Sequence, residues 1–404
     1  MSAWIDVRPL RHAPFRRLWW SGELSTAGSQ LTAVAVLFEI WQITGNAAAV
    51  GALGAAQAVA RTTFGLAGGS LADAADRRLL SLLATAGQLL AAALLAAQAW
   101  AGPGSMWVLL ALASLAAACS GLGAPARSAF VPRLLPADQV AAGVALNHIG
   151  FQVAMLVGPA LAGALISWAG VAFCYLLDAA SFAIALYGLA RLPSIRPDGA
   201  GARPNLAEVR EGWRFVLRSR VLRGVFLNDA LATLLAFPIA LFPVINAERF
   251  GGDPRTLGLF LSAIAFGGLV AGIASGPVTR ARHPGLVMVC ASGIWGLALT
   301  GFGLSHALWP LLGCLAIAGA ADTASVISRG AVVQLATPDS HRGRVNAVNY
   351  IVGASGPDLG NFRAGLVADA TSATTAAVSG ALLCIAGVTT QGVRNRPLRE
   401  FTTR

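Results

Sequence analysis

Residues 48–100 read AAVGALGAAQAVARTTFGLAGGSLADAADRRLLSLLATAGQLLAAALLAAQAW, which is two long apolar stretches joined by a short charged turn. Each stretch supplies the about 20 mostly apolar residues that a helix needs to cross the ~30 Å hydrocarbon layer of a bilayer. The turn contains the charged residues Asp73, Asp76, Arg77 and Arg78. The pattern predicts two membrane-spanning helices with the turn on one side of the membrane.

The composition indicates that the whole chain is built in this way. Of its 404 residues, 56% are apolar and only 12% are charged, whereas a soluble globular protein has about 25% charged residues. Too few polar side chains remain to cover a water-soluble particle, so we expect an all-α integral membrane protein. All 29 basic residues are arginine. The lysine of a phosphate-binding P-loop is therefore missing, which excludes ATP-driven transport by this chain alone.

Apolar stretches of spanning length recur along the chain and predict twelve transmembrane helices. We place them at residues 18–43, 48–72, 79–100, 105–126, 139–167, 170–190, 222–247, 256–279, 285–304, 307–333, 344–368 and 372–392. A long polar connection divides them into two groups of six. The predicted domains are an N-terminal six-helix bundle at 1–191, a cytoplasmic linker with a surface helix at 192–221, and a C-terminal six-helix bundle at 222–404.

The positions of the arginines predict how the chain is oriented. In an alternating twelve-span arrangement, 25 of the 29 arginines lie on the same side as the two termini. Arg249 and Arg255 lie on the other side, while Arg61 and Arg363 lie within spans. Because cytoplasmic loops carry the excess of basic residues, both termini are predicted to be cytoplasmic, in a multi-pass protein of the plasma (inner) membrane.

An internal repeat supports the division into halves. At an offset of 202 residues, half the length of the chain, eight positions between 127 and 163 coincide with the same residue type, including the pairs Arg127–Arg329, Pro136–Pro338 and Gly158–Gly360. Coincidence in a sequence rich in Ala and Gly is the alternative. Parallel six-helix halves predict a central cavity whose access alternates as the halves rock.

Carboxyl groups inside the predicted spans are the candidates for proton coupling. A charge at the bilayer centre costs ~2.5–3.5 kcal/mol on insertion scales, so such acids should face a cavity, form ion pairs or stay protonated. In order of preference the candidates are Asp229, Asp358, Asp322 and Glu23. For each acid a structural ion pair is the alternative. Glu39 is expected to be solvated near the outer interface. Candidate cavity-lining or ion-pairing residues are Arg61, Arg363, Gln57 and Asn228.

The charged turn resembles the loop signature of the major facilitator superfamily, in which a glycine, three residues and an aspartate precede a basic cluster. The residues that carry the resemblance are Gly69, Asp73, Arg77 and Arg78, and the predicted gating loop also includes Asp76. The sequence departs from the signature at Ala74, where a basic residue is usual, and at Asp76, where many members have glycine. We expect Gly68 and Gly69 to let a neighbouring helix approach closely. The resemblance implies a gate formed by a carboxylate at a helix end; an ordinary basic loop is the alternative.

Two further motifs carry the resemblance. Gly158, Pro159 and Gly163 are similar to a Gly-Pro signature of exporters in this superfamily, where proline kinks the fifth helix; a packing role is the alternative. Residues 358–365, Asp-Leu-Gly-Asn-Phe-Arg-Ala-Gly, resemble the enterobactin-exporter-like branch. An acid midway along the first helix, frequent in that branch, is replaced here by residues 28–30, Gly-Ser-Gln.

The resemblance implies a twelve-helix major facilitator fold and a secondary transporter rather than an enzyme. We expect a proton-coupled exporter, an antiporter, of a siderophore-like compound or an amphipathic drug, which works by rocker-switch alternating access. The expected partners are the substrate, protons and lipid, with no cofactor, metal or nucleic acid, and the chain is expected to be a monomer. The alternatives are a nutrient importer or facilitator, and a non-transporting membrane sensor of the same fold.

Overall fold

The computed structural model describes the backbone of residues 6–102, 104–194 and 206–402, in which all regular structure is helical. The side chains of Asp73, residues 206–209, Ser340 and Ala354 lie outside the description. The α-helices are α1 Ala13–Thr44, α2 Ala47–Ala74, α3 Arg77–Ala101, α4 Met106–Ser128, α5 Val131–Leu134, α6 Val140–Ala169, α7 Val171–Ala190, α8 Leu206–Arg218, α9 Arg220–Ala236, α10 Phe242–Phe250, α11 Pro254–Ile273, α12 Gly276–Thr279, α13 Pro284–Leu304, α14 Leu308–Ala336, α15 Arg342–Ala370, α16 Ala373–Arg394 and α17 Arg396–Arg399.

Nine helical segments of the described chain are long and apolar enough to cross a membrane. They correspond to α3, α4 with α5, α6 with the turn before it, α7, α9 with α10, α11, α13, α14 and α16. Helices α1, α2 and α15 have 32, 28 and 29 residues, which also exceeds the about 20 that a crossing needs. To within one residue at their ends, eleven of the twelve apolar stretches predicted from the sequence each lie on one of these helical segments. The stretch 256–279 runs past the end of α11 at Ile273 and includes the separate short helix α12.

One predicted span, residues 222–247, is interrupted. Helix α9 ends at Ala236, and Phe237 is extended because the residue before a proline is disfavoured in the helical conformation. A short 3-10 turn, Ile239–Leu241, then leads into α10. The side chain of Asn361 on α15 accepts a hydrogen bond from the backbone N–H of Ala240 at 3.0 Å, which satisfies a donor that the broken helix leaves open.

The described chain forms two compact units. The first consists of Met1–Thr44 and Val59–Pro204, and the second of Gly45–Ala58 and Asn205–Arg404. In the first unit α1 packs against α6 and α7, and α3 packs against α4 and α7. Near the start of α1, Phe15 belongs to an apolar cluster with Val131 of α5, Leu135 just after it and Leu146 of α6.

The second unit is centred on α9, α13 and α14. Helix α14 packs against α11 and α13, while α9 packs against α15 and α16. Its largest apolar cluster joins α9, α13, α14 and α15 through Leu222, Val225, Met288, Val332 and Val345. The first part of α2 also belongs to this unit, because Gly51 lies against the backbone of Asn361 and Phe362. These units are groups of residues that contact one another, and they differ from the domains predicted from the sequence. The domain boundaries 1–191, 192–221 and 222–404 therefore stay predictions.

The helix bounds extend the internal repeat. Helices α4, α6 and α7 begin at Met106, Val140 and Val171, and α14, α15 and α16 begin 202 residues later in each case, at Leu308, Arg342 and Ala373. Chance matches of small residues do not explain equal helix starts over three successive helices. Positions related by this offset therefore occupy the same level of corresponding helices.

Close helix crossing in the second unit depends on glycines. A Cβ at Gly319 of α14 would collide with the carbonyl oxygen of Ile264 on α11, and one at Gly267 of α11 would collide with that of Ala316. Close backbone approach of this kind gives membrane helices van der Waals contact that bulkier residues prevent. The two glycines therefore set the distance between α11 and α14.

We expect Gly319→Ala to lower the free energy of unfolding by about 1–3 kcal/mol, because the added methyl group meets a backbone atom that cannot move alone. Gly313→Ala is the matched control on the same helix, where a Cβ has open space. Thermal unfolding of both variants in detergent measures the difference. Equal stability of the two variants would contradict the assigned helix contact.

Candidate functional site

A cavity of about 650 Å³ lies within the first unit. This volume is in the range of pockets that hold drug-sized ligands. Its aromatic wall consists of Phe15, Trp19, Phe151 and Phe182. Its polar wall consists of Ser21, Glu23, Ser25, Thr26, Ser29, Gln30, Arg61, Thr85, Gln88, Ser120, Arg127 and Asn147. A cavity with an aromatic wall and many polar groups, charged ones of both signs among them, suits an amphipathic organic molecule.

Glu23 on α1 is the acid of this cavity. Its carboxyl group lies directly against Gly150 of α6, where a Cβ would collide with it. Its Oε2 atom is buried, and no hydrogen bond or ion pair joins it to a residue that the structure describes. A buried polar atom without a partner is costly. A bound proton, or a donor group of a ligand, would remove that cost.

Arg127 on α4 supplies a positive charge to the same cavity. Its side chain runs back along α4 for about two helical turns, where Nη2 donates to the carbonyl oxygen of Ser120 at 2.9 Å and Nη1 lies 3.5 Å from Oε1 of Gln88. Gly123 leaves room for it, since a Cβ there would lie 2.6 Å from Nη1. Both acceptors are neutral, and Arg127 forms no ion pair within the described chain.

Two of the predicted proton-coupling acids come together in the second unit. Asp229 on α9 forms a buried ion pair with Arg329 on α14, and Asp322 on α14 lies within electrostatic range of both. Asp322 is solvent-exposed, whereas Asp229 is only 7% exposed. For Asp229 the structure therefore contains the ion pair that was the alternative. Arg329 was not among the ion-pairing candidates predicted from the sequence. The internal repeat could have indicated it, because Arg329 corresponds to Arg127 at the offset of 202 residues.

Two further buried acids join α1 to α7. The prediction that Glu39 is solvated is wrong, because it is 7% exposed and accepts hydrogen bonds from the Tyr175 hydroxyl at 2.6 Å and from Gln98 at 3.0 Å. Asp178 on α7 is 2% exposed and accepts a bond from the Thr32 hydroxyl at 2.6 Å. The sequence ranks neither acid, because helical periodicity does not reveal which helix faces which.

Asn228 and Arg363 have structural partners. Asn228 is fully buried and donates to the Ser292 hydroxyl at 2.7 Å, so it joins α9 to α13 and does not line an open cavity. Nη1 of Arg363 donates to the carbonyl oxygen of Leu235 at 2.5 Å. This carbonyl is in the last turn of α9, where carbonyl groups lack helical partners.

The remaining cavity candidates occupy other places. Arg61 lines the cavity of the first unit together with Glu23 and Arg127. Gln57 on α2 and Asp358 on α15 are half-buried within the second unit. The structure thus brings together Glu23 and Arg61 from the predicted set, within the first unit, while Asp229 and Asp322 belong to the second unit.

The charged turn between α2 and α3 ties three helices of the first unit. Asp76 is the N-cap of α3 and also accepts a hydrogen bond from the Ser194 hydroxyl at 2.8 Å. Nε of Arg77 donates to the carbonyl oxygen of Ala72, and Nη2 of Arg78 donates to that of Ala190. Arginine at a helix C-terminus satisfies open carbonyl groups and the helix dipole. The Asp73 side chain lies outside the described residues.

The glycines of the motifs differ in their surroundings. A Cβ at Gly68 would collide with the Leu122 carbonyl oxygen, whereas one at Gly69 would have open space, so the close contact predicted for both holds only for Gly68. In α6 the helix continues through Pro159, and a Cβ at Gly158 would lie 2.5 Å from Cβ of Gln30 on α1. Gly163 is buried. The kink at Pro159 stays a prediction.

Comparison with known proteins identifies relatives along nearly the whole chain. The profile of the transmembrane secretion effector family matches residues 2–402. Enterobactin exporter EntS of Shigella boydii serotype 18 is 28% identical over 380 residues, which cover 93% of this chain and 91% of that protein. The protein of the same name from Citrobacter koseri has the same identity and coverage.

Solved transporter structures share the fold. A POT family transporter in complex with 5-aminolevulinic acid superposes with a TM-score of 0.76 at 12% identity and covers 95% of this chain and 96% of that one. A bacterial homologue of the iron transporter ferroportin, in an inward-facing state, superposes with a TM-score of 0.72 at 17% identity and covers 94% and 99%. At these identities the likeness concerns the fold alone.

We expect Tyr175→Phe to lower the free energy of unfolding by about 1–3 kcal/mol, because it leaves a buried oxygen of Glu39 without its donor. Tyr187→Phe removes a hydroxyl from the exposed part of the same helix and serves as the control. Thermal unfolding in detergent compares the two variants. A loss of the same size in both would mean that the Glu39 bond is not the cause.

Proposed function

Because the chain belongs to the transmembrane secretion effector family of the major facilitator superfamily, we propose that it exports its small organic substrate in exchange for protons. The protein is a multi-pass transporter of the inner membrane. The curated relatives named enterobactin exporters support a siderophore-like compound as the substrate. The aromatic wall of the cavity supports the wider class of amphipathic compounds, including drugs.

The observation that carries the proton exchange is the unpartnered carboxyl group of Glu23 in the cavity. An ionised carboxylate accepts a hydrogen bond from a hydroxyl or amine of the substrate, whereas a bound proton occupies the same oxygen atoms. Substrate and proton then compete for one group. Competition of this kind is a coupling free energy, and it is reciprocal between the two ligands.

The acids of the second unit are proposed as further titrating groups. Asp322 is exposed near the Asp229–Arg329 pair. Protonation of Asp229 would break that pair, whereas protonation of Asp322 would remove its repulsion of Asp229. Asp358 remains a candidate on α15. We place Glu23 ahead of these three acids, because among them it alone lines the cavity of about 650 Å³ and has no partner within the described chain.

For the architecture we propose twelve membrane crossings with both termini in the cytoplasm. Nine apolar segments, the length of α1, α2 and α15, and the arginine distribution support this count. We propose that residues 1–191 and 222–404 rock against each other, connected by 192–221, since parallel repeats commonly alternate access in this way. A monomer suffices for such a cycle.

The charged turn is proposed as a gate of this cycle. Asp76, Arg77 and Arg78 form hydrogen bonds at the ends of α2, α3 and α7. A movement of one of these helices relative to the others would therefore break or rearrange these bonds. Gly69 has open space and leaves the turn free to change its backbone. The role of Asp73 rests on the sequence motif.

We expect Glu23→Gln to reduce substrate movement driven by a pH gradient about tenfold or more, because the amide cannot exchange a proton. The measurement is the uptake of labelled enterobactin by everted membrane vesicles with an imposed gradient. Exchange of labelled for unlabelled substrate without a gradient should persist. Uptake that collapse of both the pH gradient and the membrane potential leaves unchanged would contradict proton coupling.

Two further variants keep the Glu23 carboxyl group and test whether its position in the cavity matters for coupling. Gly150→Ala displaces the Glu23 carboxyl group, which is the far end of a flexible side chain, and should impair coupling at little cost in stability. Gly22→Ala, beside Glu23 in the same cavity, has open space and is the control. Full gradient-driven uptake by both Glu23→Gln and Gly150→Ala would exclude Glu23 as the coupling acid.

A further inference from the structure

The two halves of the internal repeat differ in the residues around one shared arginine position, Arg127 in the first half and Arg329 in the second. Arg329 forms an ion pair with Asp229 and has Asp322 within electrostatic range. At the offset of 202 residues, Arg329 corresponds to Arg127, whereas Asp229 and Asp322 correspond to Ala27 and Ser120. Because helices α4 and α14 begin at corresponding residues, Arg127 and Ser120 lie at the levels of Arg329 and Asp322. Ala27 corresponds to Asp229 by the sequence offset alone. The first half has kept the arginine and lacks both acids.

Arg127 has only neutral partners in place of those acids. Its guanidinium contacts the Ser120 carbonyl oxygen and, at 3.5 Å, the Gln88 amide oxygen. Glu23 shares the cavity but forms no ion pair with Arg127, and no other described acid does. Arginine stays charged in proteins, and a charge away from bulk water is normally paired. Among the residues that the structure describes, the positive charge of Arg127 in this cavity therefore has no paired carboxylate.

The surroundings of Arg127 indicate what kind of counter-ion fits. The guanidinium offers donors in a fork that matches an anionic oxygen group bidentately. The cavity also contains the rings of Phe15, Trp19, Phe151 and Phe182, on which an aromatic ligand can pack. A ligand with a carboxylate or an ionised phenol on an aromatic ring can bind Arg127 through its anionic oxygen and pack its ring against the aromatic side chains.

We propose that Arg127 is the anion-binding group of this cavity and that it takes the carboxylate or phenolate oxygen of an aromatic substrate. The inference deepens the proposed export function, for which it names the substrate class. A hydroxyl or amine elsewhere on the same ligand then donates to Glu23. Gly123 is the positioning residue, because its missing Cβ lets the Arg127 side chain fold back to the level of Ser120.

The probes are salicylate, an aromatic carboxylate, and salicylamide, its uncharged counterpart. Their binding to the full-length protein in lipid nanodiscs is measured by isothermal titration without any ion gradient. We expect salicylate to bind at least about tenfold more tightly than salicylamide, the size of a charge-assisted hydrogen bond. Equal binding of the two probes would overturn the proposal.

Two variants remove the charge in different ways. Arg127→Gln deletes the cation, and Ser120→Asp restores a carboxylate at the position that corresponds to Asp322 and so occupies the guanidinium. Both should abolish the preference for salicylate over salicylamide. Ser120→Asp keeps Arg127 in place, so it tests the proposal even where Arg127→Gln does not fold.

The matched control is Arg17→Gln, which removes one positive charge from an exposed position of α1 in the same unit. It should keep the preference for salicylate. Loss of the preference in Arg17→Gln, or its retention in Ser120→Asp, would overturn the role of Arg127. Because binding is measured at equilibrium, this result is independent of the vesicle experiment: export can hold while the anion site fails, and the reverse.

Discussion

A charge inside a bilayer costs ~2.5–3.5 kcal/mol on insertion scales unless it finds a partner or water, and this cost organises the polar residues of the protein. Three solutions occur. Asp229 and Arg329 form a buried ion pair, Glu39 and Asp178 are satisfied by hydroxyl and amide donors, and Arg249 donates to carbonyl oxygens at the end of α13. Arg127 donates only to neutral oxygens, of the Ser120 carbonyl and the Gln88 amide, and the buried Oε2 of Glu23 has no partner within the described chain. The cavity that these two residues line therefore differs from the other polar sites.

The satisfied acids and the cavity share the same helices. Helix α1 has Glu23 on the cavity wall and, further along, Thr32 and Glu39 bonded to α7. These bonds join α1 to α7 near Asp178, which lies four residues before Phe182 of the cavity wall. A wall that is fixed by buried hydrogen bonds can hold unpaired polar groups towards the cavity without the helices separating. The structural acids thereby stabilise the site that leaves Glu23 open.

The repeat shows how one architecture can support two kinds of chemistry. Both halves keep an arginine at the same level of corresponding helices, at Arg127 and Arg329. In the second half Arg329 pairs with Asp229, whereas in the first half the partners of Arg127 are the neutral oxygens of Ser120 and Gln88. This difference in partners makes Arg329 part of a structural ion pair and Arg127 a candidate ligand-binding group.

The sequence by itself determined the helices, because a backbone in lipid must satisfy its hydrogen bonds within each span and therefore leaves long apolar stretches as its trace. It also determined the repeat and the excess of arginine on one side. The break at Phe237–Pro238, inside the continuous span predicted at 222–247, was found only in the structure. Which helix faces meet was decided by tertiary structure. Ranking by position placed Asp229 first and Glu23 last. Only the packed helices gave Asp229 a cation and left Glu23 against Gly150, since a side chain's partners come from other helices and its own periodicity does not identify them.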